Sequence, residues 1–334
     1  MVNKRVDITI FIPTYFAEDT LAHLLRKIFK QKIDKTFEVL IYDTSSTDKT
    51  PKIIERFAKR HANLRHKTIL KKDFQHGRVR QQAAEDAKGE FVVYLTQDAI
   101  PAHNRWLYEL LKPFEINEKI VGVTGKQDPR PKTFPLLKRE IRGVFSGLGP
   151  DNGTTIYYKD DFIKKQSQYD HVAFYSDVNS ACRRNFVLHT IPYRELDYAE
   201  DQAFGRDVIE AGYMKAYASR GNVVHSNEFK IREYKNRMFD EVMGLRKAGI
   251  PVKAPSFLGI IKVVALGTVK DTIFTLRDSE YSWKRRLFYI AVNPIYNIEK
   301  WRGFRKAVEF DLNDQKTAHR YSLESRQARV RLKR

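Results

Sequence analysis

Along the first fifteen residues, Val6, Ile8, Ile10 and Ile12 alternate with Asp7, Thr9 and Phe11, and Pro13-Thr14-Tyr15 closes the run. A period of two predicts a strand ending in a backbone turn. Leu21, Leu24, Leu25, Ile28 and Phe29 then recur at helical spacing, predicting an amphipathic helix from Glu18 to near Lys30. Phe37 to Tyr42 is the second predicted strand. It stops at the polar cluster Asp43-Thr44-Ser45-Ser46-Thr47-Asp48, which leads into a helix with Ile53, Ile54, Phe57 and Ala58 on its apolar face. His66 to Leu70 predicts a third strand, and a helix with Val79, Ala83, Ala84 and Ala87 inward follows it. The run Phe91-Val92-Val93-Tyr94-Leu95 is apolar throughout, as in a parallel strand covered on both faces, and it ends at Thr96-Gln97-Asp98. With a helix around Trp106 to Leu111 and a strand from Ile120 to Thr124, the order is βαβαβαβαβ. That order predicts a Rossmann-like α/β fold, a doubly wound and mainly parallel sheet.

From Gly125 to Tyr158 the periodicity lapses and Gly, Pro and Lys are frequent, predicting an irregular loop over the site. Val172 to Phe174 and Asn179 to Arg183 follow as short strands, and Phe204, Val208 and Ile209 mark a helix. Met214 to Ala218 and Val223-Val224-His225 are strand-like again. Beyond this the character changes: Phe229 to Ala248 is helical and basic, and Phe257 to Leu276 is apolar. That apolar window is interrupted by Lys262, Lys270 and Asp271, short of the roughly 18 uninterrupted apolar residues of a spanning helix. Tyr281 to Phe304 mixes aromatic and basic residues, and Tyr321 to Arg334 is expected to be a mobile basic tail. The expected domains are a catalytic α/β domain at 1–228 and a basic, aromatic-rich helical region at 229–334.

Composition narrows this picture. At 42% hydrophobic and 12% aromatic residues the chain is too rich in core formers for disorder, and the single Cys182 excludes an intrachain disulfide and a cysteine-based zinc site. A reducing compartment is expected, with synthesis in the cytosol and no signal peptide after Lys4-Arg5. The net charge of +20 forecasts an anionic partner: nucleic acid, an acidic lipid surface or a phosphorylated substrate. Aromatic residues interleaved with Lys and Arg suit a helix in the headgroup zone of an anionic membrane, and suit nucleic acid or a solvated helix pair as well.

In open α/β sheets, ligands gather beyond the carboxyl ends of the strands. Asp98 there is placed either to hold a divalent cation or to form a turn and helix cap. Asp43 can accept the imide N–H of a pyrimidine base or organise its own turn, and Arg78 can face a phosphate or solvent. Gly77 would permit close approach of a ligand, and Asn179 and Ser180 could line a sugar pocket. Glu200 and Asp201 either offset the partial charge of a helix N-terminus or direct one carboxylate into the cleft as a general base. His225, at another strand end, is a candidate second ligand to the cation or a satisfied structural histidine.

Taken together, Ile12-Pro13-Thr14-Tyr15, Asp43 with Ser46-Thr47-Asp48, the stretch Phe74 to Arg80, Thr96-Gln97-Asp98-Ala99 and Glu200-Asp201 resemble the inverting family 2 glycosyltransferases of the GT-A fold. The resemblance runs from about Val6 to Ser226, and its specificity lies in the order and spacing of the motifs. His76-Gly77-Arg78 and the segment from Thr96 to Ala99 look like the rhamnosyltransferase branch, whose donor is dTDP-β-L-rhamnose. The resemblance implies that Pro13, Thr14 and Tyr15 border the nucleotide, Asp43 reads the base, Arg78 lies near the diphosphate, and Gln97 and Asp98 also meet the donor. It implies Asp98, with His225, as ligands to Mg²⁺ or Mn²⁺, Asp201 as the catalytic base, and Asn179, Ser180 and Glu200 on the acceptor side. Two positions depart from the family pattern: Thr96 stands where the first acid of the metal-binding DxD element is usual, and Ser45 where glycine is usual. The implied partners are a nucleotide sugar, a lipid-linked glycan and an anionic membrane surface, with no nucleic acid. The implied location is the cytoplasmic face of a bacterial membrane, in cell-surface polysaccharide synthesis. A family 2 enzyme using a UDP-sugar, a nucleotidyltransferase and a basic nucleic-acid-binding protein are the alternatives.

Overall fold

The computed structural model describes residues 5–160, 163–227 and 229–331. Its strands are β1 (Ile8–Thr14), β2 (Phe37–Asp43), β3 (Leu64–Thr68), β4 (Phe91–Leu95), β5 (Ile100–Pro101), β6 (Ile120–Asp128), β7 (Thr154–Tyr157), β8 (Asn179–Arg183) and β9 (Met214–Val224). The helices are α1 (Leu21–Ile28), α2 (Thr50–Ala58), α3 (His76–Asp86), α4 (Trp106–Leu111), α5 (Pro135–Gly147), α6 (Gln166–Ala173) and α7 (Arg184–His189). They continue with α8 (Glu200–Glu210), α9 (Ile231–Lys247), α10 (Phe257–Arg277), α11 (Trp283–Glu309), α12 (Gln315–Tyr321) and α13 (Leu323–Arg331).

The chain divides into two compact units, Met1–Asp128 with Val144–His225, and Pro129–Gly143 with Ser226–Arg334. The first is built on one sheet of order β3-β2-β1-β4-β8-β6-β9-β5, with β7 also paired to β9. β1 through β4 are parallel, β8 runs antiparallel between β4 and β6, and β6 and β9 are parallel. The expected mainly parallel α/β sheet is therefore present, with antiparallel β8 at its centre. Period-two patterning explains its layers. Ile8, Ile10 and Ile12 of β1 join Leu21, Leu24, Leu25 and Ile28 of α1 in one core. Phe11 points the other way, into a second core with Val79 and Ala83 of α3 and Phe204 and Val208 of α8. Helices thus cover both faces, which is why β4 is apolar at every position.

Three stretches depart from the sequence expectation. The supposed loop at 125–158 contains the end of β6, the thirteen-residue α5 and β7. Leu137, Ile141, Val144, Phe145 and Leu148 do carry helical spacing behind Pro135 at the helix start, and the surrounding Gly and Lys residues obscured it. Val172 and Ala173 end the helix α6 instead of forming a strand; three residues are too few for periodicity to decide. The tail expected to be mobile from Tyr321 forms α13 as far as Arg331, its last three residues lying outside the described ones, and the Asp240 carboxylate accepts the N–H groups of Leu323 (2.8 Å) and Glu324 (3.2 Å) at the start of α13.

The second unit is helical. Phe134, Tyr234, Tyr281, Tyr289 and Tyr296 form an aromatic core, with Phe134 stacked on Tyr296 at 4.2 Å between ring centroids. Buried charges there are paired: Lys138 lies 2.7 Å from both Asp278 and Glu280, and the Arg139 Nε donates to Asp271 (2.6 Å).

Candidate active site

The loops at the carboxyl ends of β1, β2 and β4 are tied to one another by their own polar side chains. The Tyr15 N–H donates to Gln97 Oε1 (2.7 Å), and Gln97 Nε2 donates back to the Tyr15 carbonyl (3.2 Å). Gln97 therefore locks the loop after β1 to the loop after β4. Asp43 is 4% exposed; its Oδ1 accepts from the Thr14 (2.9 Å) and Ser46 (2.7 Å) hydroxyls and its Oδ2 from the Ser46 N–H (2.9 Å). The turn-organising role is thus realised, and a carboxylate oxygen with one such bond keeps acceptor capacity for a further donor. Pro13 and Thr14 close β1 beside this turn, paired in register with Tyr42 and Asp43.

Phe16, Ser45 and Ala199 are the non-glycine residues with left-handed backbone among the described residues, at φ of 52°, 49° and 61°. All three sit at this rim, Ala199 immediately before Glu200. A left-handed φ at Ser45 explains why glycine is the easier residue there. Strained backbone of this kind is retained where the surrounding structure needs a side chain aimed in an unusual direction.

His225 follows β9 and is buried, with Nε2 3.4 Å from Asp98 Oδ1 and Nδ1 3.3 Å from Gln127 Oε1. A proton on Nδ1 donated to Gln127 leaves the Nε2 lone pair on the Asp98 side, the arrangement typical of an imidazole that binds a cation. Close by in the chain, the Thr96 hydroxyl is buried without a hydrogen-bond partner. Among the described residues no group of three or more His, Cys, Asp or Glu could hold a metal ion. Two protein donors nonetheless suit Mg²⁺ or Mn²⁺, which commonly take one or two side chains and complete their shell with phosphate oxygens and water. The residues present fit such an ion bound together with a diphosphate.

A second cluster lies across a short seam. The Thr96 N–H donates to the Val178 carbonyl (3.2 Å), and one residue earlier the Asp177 N–H donates to Asp201 Oδ2 (3.1 Å). Gln127 continues from His225 to the same segment, donating to the Ser176 hydroxyl (3.0 Å). Residues 176–178 thus join Asp201, through the Asp177 N–H, to the loop of Thr96 and to Gln127, the partner of His225. Behind Asp201, the buried guanidinium of Arg80 lies between Asp177 (2.7 Å from Nε) and Glu200. Ser180 (2.6 Å) and Tyr193 (3.2 Å) also donate to Asp177. Two buried carboxylates thus share one buried cation, whose charge also reaches the half-buried Asp201. Burial, and then the charge of Glu200, push the Asp201 carboxyl up from its ordinary value, while Arg80 pulls it back. Asp177 and Glu200 are likewise raised, chiefly by burial. A carboxylate raised in this way is a stronger base than an exposed aspartate.

Several expectations need correction. Asn179 and Ser180 do not line a pocket: both are fully buried, Asn179 bonding the Trp106 indole (3.0 Å) and the Gly221 carbonyl (2.7 Å), and Ser180 bonding Asp177. Glu200 is 4% exposed and turned to Arg80, away from any acceptor pocket. Arg78 is on the surface, paired with Glu195 at 2.8 Å. Gly77 admits another part of the chain instead of a ligand, since a Cβ there would sit 1.9 Å from the Arg194 carbonyl oxygen. Sequence reasoning missed Arg80 and Asp177. The signal for Arg80 was present: with Ala83, Ala84 and Ala87 it repeats at helical spacing, which turns it inward.

A sequence profile described as glycosyl transferase family 2 matches residues 9–189, more than half of the chain. The chain belongs to glycosyl transferase family 2. Among characterised proteins, this family 2 chain is 30% identical over 237 residues to the O-antigen chain rhamnosyltransferase WbaN of Salmonella anatum, covering 70% of each. It is also 30% identical over 243 residues to the O-antigen chain rhamnosyltransferase RfbN of Salmonella typhimurium, again covering 70% of each. Among solved structures it resembles the mannosyltransferase PcManGT of Pyrobaculum calidifontis in complex with GDP-Man and Mn²⁺. That likeness has a TM-score of 0.58 at 16% identity, over 92% of this chain and 88% of that one. TarS of S. aureus with UDP-GlcNAc gives a TM-score of 0.52 at 17% identity, over 97% and 81%. At those identities the structural likeness is one of fold, and it matches the GT-A architecture expected from the motifs. The protein is a glycosyltransferase with rhamnosyltransferase-like sequence.

Proposed function

We propose that this family 2 enzyme transfers L-rhamnose from dTDP-β-L-rhamnose to a hydroxyl of a lipid-linked saccharide, at the cytoplasmic face of a bacterial membrane, during cell-surface polysaccharide synthesis. The two rhamnosyltransferase relatives support the sugar, and the observation that carries the mechanism is Asp201, a half-buried carboxylate of raised basicity linked through residues 176–177 and Gln127 to the Asp98–His225 pair. Asp201 takes the proton of the acceptor hydroxyl as its oxygen attacks the anomeric carbon. The bond from that carbon to the donor phosphate oxygen breaks on the opposite face, so configuration inverts in a single displacement and dTDP leaves. Asp98 and His225 would hold Mg²⁺ or Mn²⁺, whose charge, when bound, offsets that gained by the diphosphate. Gln97 fixes the loop around Tyr15, Asp43 offers its carboxylate to the pyrimidine imide, and Arg80 keeps three neighbouring acids from repelling one another.

A UDP-sugar donor is the competing reading, favoured by a match of 34% identity over 91 residues to a poly(ribitol-phosphate) β-N-acetylglucosaminyltransferase, TarS of Staphylococcus aureus. Incubating the purified protein and Mn²⁺ with dTDP-, UDP- and GDP-sugars, and following its melting temperature, separates the two. Stabilisation by dTDP-rhamnose above all others is expected. Stabilisation by a UDP-sugar alone would transfer the assignment to the second reading, and stabilisation by none would overturn both.

A further inference from the structure

Large apolar side chains are distributed unevenly over this molecule. Of the sixteen that are exposed among the described residues, twelve lie on α10 and α11, including Leu258 at 75%, Phe257 at 67% and Trp283 at 66%. The two helices form an antiparallel hairpin, because Asp271 meets Asn297 (2.7 Å) while Thr275 meets Asn293 (3.3 Å). Polar side chains therefore face inward and apolar ones outward, the reverse of a helix pair in water. On α10 the exposed positions Leu258, Ile261, Val269 and Leu276 fall on one stripe at helical spacing, and Leu287, Ile295 and Ile298 make a second stripe on α11. Both stripes open on the same side. A groove of about 450 Å³ is lined jointly by Ile261, Val264 and Thr268 of α10 and by Pro294, Ile298 and Arg302 of α11.

The charge pattern identifies what covers this face. α10 and α11 together carry ten Lys and Arg against three Asp and Glu. All three acids are occupied: Asp271 is buried against Arg139, while Glu299 and Glu309 pair with Arg302 and Arg305 on their own helix. Lys262, Lys270 and Arg277 are exposed along the edge of the α10 stripe. Two copies meeting through this face would oppose cation to cation, whereas an anionic surface neutralises the edge while its hydrocarbon receives the stripe. No described helix is long and apolar enough to cross a membrane, and charges on the flank of an apolar stripe suit a helix lying along one.

We propose that the α10–α11 hairpin is an interfacial anchor for a bilayer containing anionic phospholipid, with both apolar stripes in the acyl region and the flanking Lys and Arg at the phosphates. This deepens the reading of the enzyme as acting on a lipid-linked acceptor and rests on it only for its purpose. Vesicle binding is measured without donor or acceptor, so either can fail alone. The experiment sediments the full chain with vesicles of phosphatidylcholine, with or without a minority of phosphatidylglycerol, and repeats it with acyl-brominated lipid while following tryptophan fluorescence. Co-sedimentation should require phosphatidylglycerol and weaken with salt. Bromolipid should quench emission, and Trp283→Phe should lower that quenching, since Trp283 is 66% exposed whereas Trp301 is half-buried and Trp106 is buried in the sheet unit. Leu258→Glu with Ile261→Glu, and separately Leu287→Glu with Ile295→Glu, should each lower vesicle affinity by about tenfold or more at unchanged melting temperature. Absence of binding by the parent chain, equal binding to both compositions, or a dimer that either Glu pair disperses without any vesicle binding would overturn the proposal.

Discussion

The sheet unit and the α10–α11 hairpin treat the same residue types in opposite ways. In the sheet unit the isoleucines of β1 are sealed from solvent and polar groups gather at one rim, where Asp43, Gln97 and Asp201 have defined partners. In the hairpin, Asp271, Asn293 and Asn297 are sealed inside and leucines and isoleucines face out. The difference separates two kinds of surface. The rim gathers polar groups suited to a small anionic ligand, with Asp177 and Glu200 paired to Arg80 behind Asp201. The hairpin presents an apolar face flanked by cations. Chemistry and anchoring should therefore respond to separate mutations.

The largest effect is expected at Arg80. Arg80→Met leaves Asp177 and Glu200 buried without their cation, and loss of one partner of a buried pair costs about 3–5 kcal/mol. Chemical denaturation should show that loss, while vesicle binding at a temperature where the variant remains folded should not change. Next is Asp98→Ala, expected to abolish the Mn²⁺-dependent part of donor binding in calorimetry; equal donor affinity with and without chelator in the parent enzyme would remove Asp98 and His225 from the ion. A smaller effect concerns pH. Because Asp201 is raised and works ionised, kcat/KM should fall as pH drops through a value above the usual aspartate range. The Glu200 charge contributes to that rise, so Glu200→Gln should move the acid limb toward lower pH. The smallest effect is the sharpest test of the separation: the Leu258→Glu, Ile261→Glu variant should transfer sugar to a water-soluble acceptor at the parent rate.

Much of the sheet unit was legible because its strands are covered on both faces or alternate cleanly, so β1, β2 and β4 announced themselves and their ends pointed to Asp43 and Asp98. Asp98 and His225 lie at the ends of different strands, and topology alone carried them together. What crosses from one element to another was not legible. Periodicity places Asn179 on a strand but does not say that its amide will satisfy the Trp106 indole. It marks Arg78 and Arg80 as equally charged, whereas 200° of helical rotation sends one to solvent and the other among three acids. The helix α5 was hidden for a different reason, since Gly143, Gly147 and the charged run Lys138-Arg139-Glu140 diluted an apolar spacing that only its packing makes decisive.

The account stands on Asp98 and Asp201 serving one bound nucleotide sugar, the first at the diphosphate and the second at the incoming hydroxyl. Its most direct test is the initial rate of sugar transfer by Asp201→Asn under donor concentrations shown by calorimetry to saturate it. The expected result is parent-like donor affinity with a rate lower by about 10²–10⁴, the usual cost of losing a general base. Transfer within twofold of the parent enzyme would contradict the assignment.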